Sequence, residues 1–204
     1  MDIFAHRIIP LMVIYDAEDA QPLGEALVAG GLSVAEVSFC TDAAAESVAI
    51  LSEIDGMTVG AGTVLTPGQV ELAVEAGAAF LSSPGLRADI VREAQLAGRT
   101  LLPGAVTPGE LMAAQALGID TVKFFPADLY GGAEAIEALA SPFNTMKFIP
   151  GGIVATDLAK YLRLSCVPAV CGSWMVPDDL IQARDFDAIR TLCREAVDLV
   201  ASML

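Results

Sequence analysis

The chain has three lysines, Lys123, Lys147 and Lys160. Lys123 has the setting best suited to chemistry, because it sits in the apolar run Thr121-Val122-Lys123-Phe124 and is followed by Phe125-Pro126. An amine in such surroundings can be an ammonium paired with a carboxylate for structure, or a nucleophile. Position alone leaves these two readings level. Burial disfavours the ammonium, so the expectation is a lowered pKa and more free amine at neutral pH. A free amine condenses with a ketone, and the resulting iminium withdraws electrons, which permits carbon–carbon cleavage without a metal. Lys160 reads as a solvated helix residue. Lys147 lies in a strand-like run, either outward beneath a helix or at a mouth.

Such chemistry also needs a proton carrier. In Val34-Ala35-Glu36-Val37-Ser38-Phe39, strand alternation puts Glu36 and Ser38 on one face and Val37 and Phe39 on the other. A carboxylate in an apolar strand is costly without a partner or a role. The bland reading is a carboxylate satisfied by an arginine or by backbone; acid–base work is favoured over it. Two glycine loops, Pro150-Gly151-Gly152-Ile153 and Cys171-Gly172-Ser173-Trp174, can bring backbone N–H groups close to an anion, and Ser173 adds a hydroxyl.

Other chemistries find little support. His6 is the one histidine, and Cys40, Cys166, Cys171 and Cys193 include no C-x-x-C pair, so no metal site and no cofactor are expected. The thiols read as reduced, as in a cytoplasmic protein. A net charge of −15 argues against nucleic acid. Mean hydropathy is high at +0.59, yet no uncharged apolar run approaches the roughly 18 residues a spanning helix needs. The first residues lack the pattern of a signal peptide.

The elements that must position these groups repeat along the chain. Apolar runs at 8–15, 34–39, 57–60, 79–82, 100–103, 121–124, 146–149 and 169–171 alternate with helical patterns at 18–29, 42–53, 67–76, 86–97, 107–117, 132–140, 155–163 and 186–202. Thr66-Pro67 and Thr107-Pro108 mark helix starts, and Gly30-Gly31, Gly77, Gly98 and Gly118 mark helix ends. Strict alternation implies parallel strands. Gly60-Ala61-Gly62-Thr63-Val64-Leu65 lacks the third glycine of a dinucleotide fingerprint, which weakens an open doubly wound sheet. The expectation is an α/β fold, a single (β/α)8 TIM barrel over residues 1–204, with chemistry at the C-terminal ends of the strands.

Taken together, Thr121–Ala127, Gly60–Leu65, Ser83-Pro84-Gly85-Leu86, Pro150–Ile153 and Gly172-Ser173-Trp174 resemble the 2-keto-3-deoxy-6-phosphogluconate and 4-hydroxy-2-oxoglutarate aldolase family. The resemblance runs from about Ile8 to the C-terminal helix. It implies a class I aldolase that releases pyruvate from a small 2-oxo acid, usually a homotrimer. It implies Lys123 as the Schiff-base lysine, Glu36 as the proton carrier and Thr63 beside the pyruvate carboxylate. Pro84 and Phe125 would line the pocket, and Gly151, Gly152 and Ser173 would hold a phosphate or distal carboxylate. Two departures stand out. The family often reads Glu-Val-Thr-Leu-Arg-Thr in strand two, and here Cys40 replaces the arginine, with Arg87 a candidate substitute. The family's Pro-Thr-Gly-Gly-Ile loop lacks its threonine here. Two alternatives remain: a phosphosugar isomerase or epimerase with Glu36 as base, and a barrel that binds an anion without turnover.

Overall fold

A computed structural model describes residues 2–203; the expected domain bounds, Met1 and Leu204, lie outside the described residues. Eight parallel strands run in chain order: β1 Ile8–Met12, β2 Val34–Ser38, β3 Thr58–Gly62, β4 Phe80–Ser83, β5 Thr100–Pro103, β6 Thr121–Phe124, β7 Lys147–Pro150 and β8 Val170–Gly172. Helices follow them: α1 Ala20–Ala29, α2 Ala44–Ser52, α3 Pro67–Glu75, α4 Ala88–Leu96, α5 Pro108–Ala116, α6 Gly132–Ala140, α7 Leu158–Leu162, α8 Asp178–Gln182 and α9 Phe186–Ala201.

Hydrogen bonding links the strands in the order β5-β4-β3-β2-β1-β8, with β6 and β7 paired separately. Single bridges, Gly104 to Lys123 and Gly151 to Cys171, join the β6–β7 pair to β5 and β8 and close the ring. The expected barrel is therefore present, with the β6–β7 ribbon as its least extensively bonded part.

Helix boundaries follow local chemistry. Thr66 and Thr107 cap α3 and α5 through their side chains, and Thr107 with Glu110 completes a reciprocal capping box. Gly77 and Gly118, just past those helices, take φ of 92° and 76°, which a side chain would resist. The first strand is shorter than the apolar run 8–15 suggests. Ile14 is buried, but as a loop residue whose carbonyl accepts from the Thr41 hydroxyl. The short α8 went unread because five residues carry too little periodicity to register.

Two apolar clusters reflect the two faces of the ring. The larger fills the space between strands and helices and includes Val37, Leu81, Val122 and Val170. The smaller fills the barrel interior with Ile9, Val34, Phe80, Leu102, Ile149, Ala169 and Cys171. Gly60 makes room for the Phe80 ring, since a Cβ there would lie 2.3 Å from it.

Candidate active site

Strand alternation stacks the interior in layers drawn from alternate strands. Ile9, Gly60, Leu102 and Ile149 come from the odd-numbered strands. The layer above them, toward the C-terminal mouth, comes from the even ones: Glu36 of β2, Ser82 of β4, Lys123 of β6 and Cys171 of β8. Two residues beyond the odd layer stand Leu11, Gly62, Gly104 and Gly151, three of them without side chains. A polar ring thus sits on an apolar plug beneath an opening left by glycines.

The ring is tightly connected. Lys123 Nζ donates to Glu36 Oε1 at 2.6 Å and to Ser82 Oγ at 3.2 Å, and Ser82 Oγ donates to Glu36 Oε1 at 2.8 Å. The Cys171 thiol lies beside the same nitrogen. Glu36 is 1% exposed, Ser82 0% and Lys123 6%, so these contacts operate largely out of water. Gly62 makes the arrangement possible, because a Cβ there would stand 2.1 Å from Glu36 Oε1.

The electrostatics correct one expectation. Burial does push the Lys123 amine toward its neutral form, but Cys171 and Glu36 oppose burial and prevail, so the pKa is raised rather than lowered. At neutral pH this effect falls to Glu36, since burial pushes the Cys171 thiol up to about 12 and leaves it uncharged. The resting lysine is an ammonium facing a carboxylate. The structural pairing weighed from sequence is therefore present, and it is compatible with a nucleophilic role, because a carboxylate at 2.6 Å is also placed to accept the ammonium's proton.

A cavity of about 50 Å³ opens above the ring; Thr63, Pro84, Phe125 and Gly152 line it with Lys123, beside Leu11, Ser82 and Cys171. Thr63 has φ of 57°, a left-handed conformation unusual for a β-branched residue, and shares a 2.8 Å hydrogen bond with Ser38 Oγ. Gly151 packs close to Lys123 Cε and the Phe125 ring. Ser173 is exposed on the loop after β8 and is not among the cavity's lining residues. Cys40 is exposed and Arg87 does not line the cavity. Arg87 pairs with Asp89 and donates to the Leu65 carbonyl at 2.9 Å.

The remaining basic groups are elsewhere. Lys147 starts β7 and borders a cavity of about 420 Å³ at the opposite end of the barrel, with Arg99 and Asp120. Lys160 is not simply solvated; it pairs with Asp128 at 3.0 Å and Asp157 at 3.1 Å. His6 precedes β1 and contacts Ser33 Oγ at 2.7 Å, at the end away from Lys123. Sequence reasoning missed Ser82 and Cys171. The signal available was their inward parity: each lies two residues beyond a small or apolar interior residue, as Lys123 lies two beyond Thr121.

The model of the KDPG and KHG aldolase family matches residues 2–192. The chain is 42% identical over 193 residues to the KHG/KDPG aldolase of Escherichia coli strain K12, covering 94% of this chain and 91% of that protein. It is also similar to the solved 2-keto-3-deoxy-6-phosphogluconate aldolase of Zymomonas mobilis ZM4 with 3-phosphoglycerate. The TM-score there is 0.89 at 42% identity, covering 96% of this chain and 95% of the other. For the KDPG aldolase of Legionella pneumophila, with pyruvate captured as a covalent carbinolamine, the TM-score is 0.90 at 38% identity, covering 96% and 98%.

Proposed function

This chain belongs to the KDPG and KHG aldolase family, and from that premise we propose that it cleaves 4-hydroxy-2-oxo acids to pyruvate and an aldehyde through a Schiff base on Lys123. The observation that carries the reading is the buried 2.6 Å contact between Lys123 Nζ and Glu36 Oε1 at the barrel mouth. Glu36 takes a proton from the ammonium as the 2-oxo acid enters. The freed amine adds to C2 to give a carbinolamine, and Glu36 returns its proton to the departing hydroxyl, so that water leaves, the iminium forms and Glu36 is a carboxylate again. Glu36 then accepts the C4 hydroxyl proton while the C3–C4 bond breaks. The electron pair is held as an enamine, and the aldehyde leaves. Protonation of the enamine at C3 and hydrolysis of the iminium release pyruvate and restore the ion pair.

In this reading the Thr63 hydroxyl meets the pyruvyl carboxylate, and Pro84 and Phe125 form the cavity walls. The Gly152 N–H, with the Ser173 hydroxyl at the rim, receives the distal anion, and Gly151, whose own N–H donates to the Phe124 carbonyl at 3.0 Å, contributes by leaving room beside Lys123 and Phe125. The cavity's place above Lys123 supports this arrangement. Residues 1–204 act as one domain, in the cytoplasm. A homotrimer is proposed as well, supported by exposed apolar side chains such as Leu129 and Met112 and checked by light scattering.

The test is reductive trapping. Sodium borohydride with pyruvate should add a pyruvate-derived mass to the peptide containing Lys123, and Lys123→Ala should gain none. An unmodified wild type, or equal labelling of both proteins, refutes the assignment.

A further inference from the structure

We infer that Ser82 is a positioning residue for the aldol step, acting through Glu36; this rests on the reading of Lys123 and Glu36 given above. Ser82 lies wholly inside the barrel, where a hydroxyl is costly unless hydrogen-bonded. Its Oγ donates to Glu36 Oε1 at 2.8 Å and accepts from Lys123 Nζ at 3.2 Å, closing a triangle of three polar groups from three strands.

The triangle changes during turnover. A resting ammonium has three N–H bonds, whereas the iminium nitrogen keeps one and carries the substrate carbon. The two contacts made by Nζ cannot both persist through condensation. The Ser82–Glu36 bond does not involve Nζ and survives it. During cleavage, when the carboxylate must face the C4 hydroxyl, the Ser82 hydroxyl holds Oε1 whether or not the one remaining iminium N–H still points at it. A hydrogen bond to the charged form of a carboxylate also favours that form. Its loss therefore moves the acid limb of the rate profile toward higher pH. Packing alone would give no such movement.

Ser82→Ala removes one oxygen from a small buried side chain, so the barrel should stay folded. Ser82→Thr keeps a hydroxyl. With 2-keto-3-deoxy-6-phosphogluconate as substrate, kcat of Ser82→Ala should fall roughly tenfold to a hundredfold. KM should change little, the acid limb of kcat should rise in pH, and Ser82→Thr should recover most of both losses. Borohydride trapping of pyruvate should persist in all three proteins, since Lys123 is intact. A folded Ser82→Ala with wild-type kcat and an unmoved acid limb overturns the inference while leaving the lysine assignment standing. Equal slowing in both variants with an unmoved limb also overturns it. Failure of trapping in the wild type overturns both.

Discussion

Replacing Gly62 with alanine should silence the enzyme without touching any charged or nucleophilic group. The backbone there is not in the left-handed region, so alanine is conformationally acceptable. The difficulty is space: the new Cβ would lie 2.1 Å from Glu36 Oε1, 2.6 Å from Cδ and 2.7 Å from Cγ. Non-bonded heavy atoms settle at roughly 3.5–4.0 Å, so the carboxylate must retreat by more than about 1 Å. The contact to Lys123 is 2.6 Å long, and a shift of that size takes it out of hydrogen-bond range. A displacement of about 1 Å in an active site can cost roughly a hundredfold in rate, and kcat should fall by that order. Disrupting the buried pair should also cost up to about 3–5 kcal/mol of stability. Pyruvate release, coupled to NADH oxidation by lactate dehydrogenase, gives the rate, and circular dichroism verifies folding. Gly68→Ala is the matched control, because a Cβ there meets nothing within 4 Å. A folded Gly62→Ala protein with kcat within twofold of the control would refute the claim that Gly62 exists to house Glu36.

Glu36→Gln should lower kcat by roughly a hundredfold or more while borohydride still traps some pyruvate; unchanged turnover would remove Glu36 from the mechanism. The raised Lys123 pKa has a definite sign in stability. The folded state holds this proton more tightly than the unfolded chain, where lysine titrates near ~10.4. The contribution is thus fully present below that pH and is lost as pH rises through the folded value. Urea denaturation should show wild-type stability falling above about pH 10 by up to ~1.4 kcal/mol per pH unit more than in Lys123→Met. Parallel curves would contradict the raised value. Cys40→Arg should lower KM for the 2-oxo acid by roughly tenfold or more if an arginine there reaches the carboxylate, and an unaltered KM would place that carboxylate elsewhere.

Much of this was legible in the sequence because the governing signals are local. Alternating apolar runs and capped helices imply a closed parallel barrel, and Thr107 with Glu110 announces its own helix start. Strand parity correctly separated Glu36, inside the barrel, from Val37, beneath the helices. The rest depends on contacts between distant positions. The pKa expectation for Lys123 took its direction from burial alone, and the opposing carboxylate lies 87 residues away in sequence. Ser82 and Cys171 gain meaning only when the strands are set in register, because neither stands beside a charged residue in sequence. Arg87, read as a candidate substitute for the arginine that Cys40 replaces, pairs instead with Asp89, two residues along, and does not line the cavity. That pairing was within reach of local reasoning and was not weighed.

Glu36, Ser82, Lys123 and Cys171 occupy equivalent stations on alternate strands, each looking toward a common axis. The groups that meet at the axis form a circular code of four letters, carried by strands that close on the hydrophobic plug below. Altering one letter changes the chemistry available at the axis without remodelling a loop or the helical shell. Two of the letters, Lys123 and Glu36, also help to hold the barrel together through their buried pair, so exchanging Ser82 or Cys171 is the way to retune the axis at the smaller cost in folding.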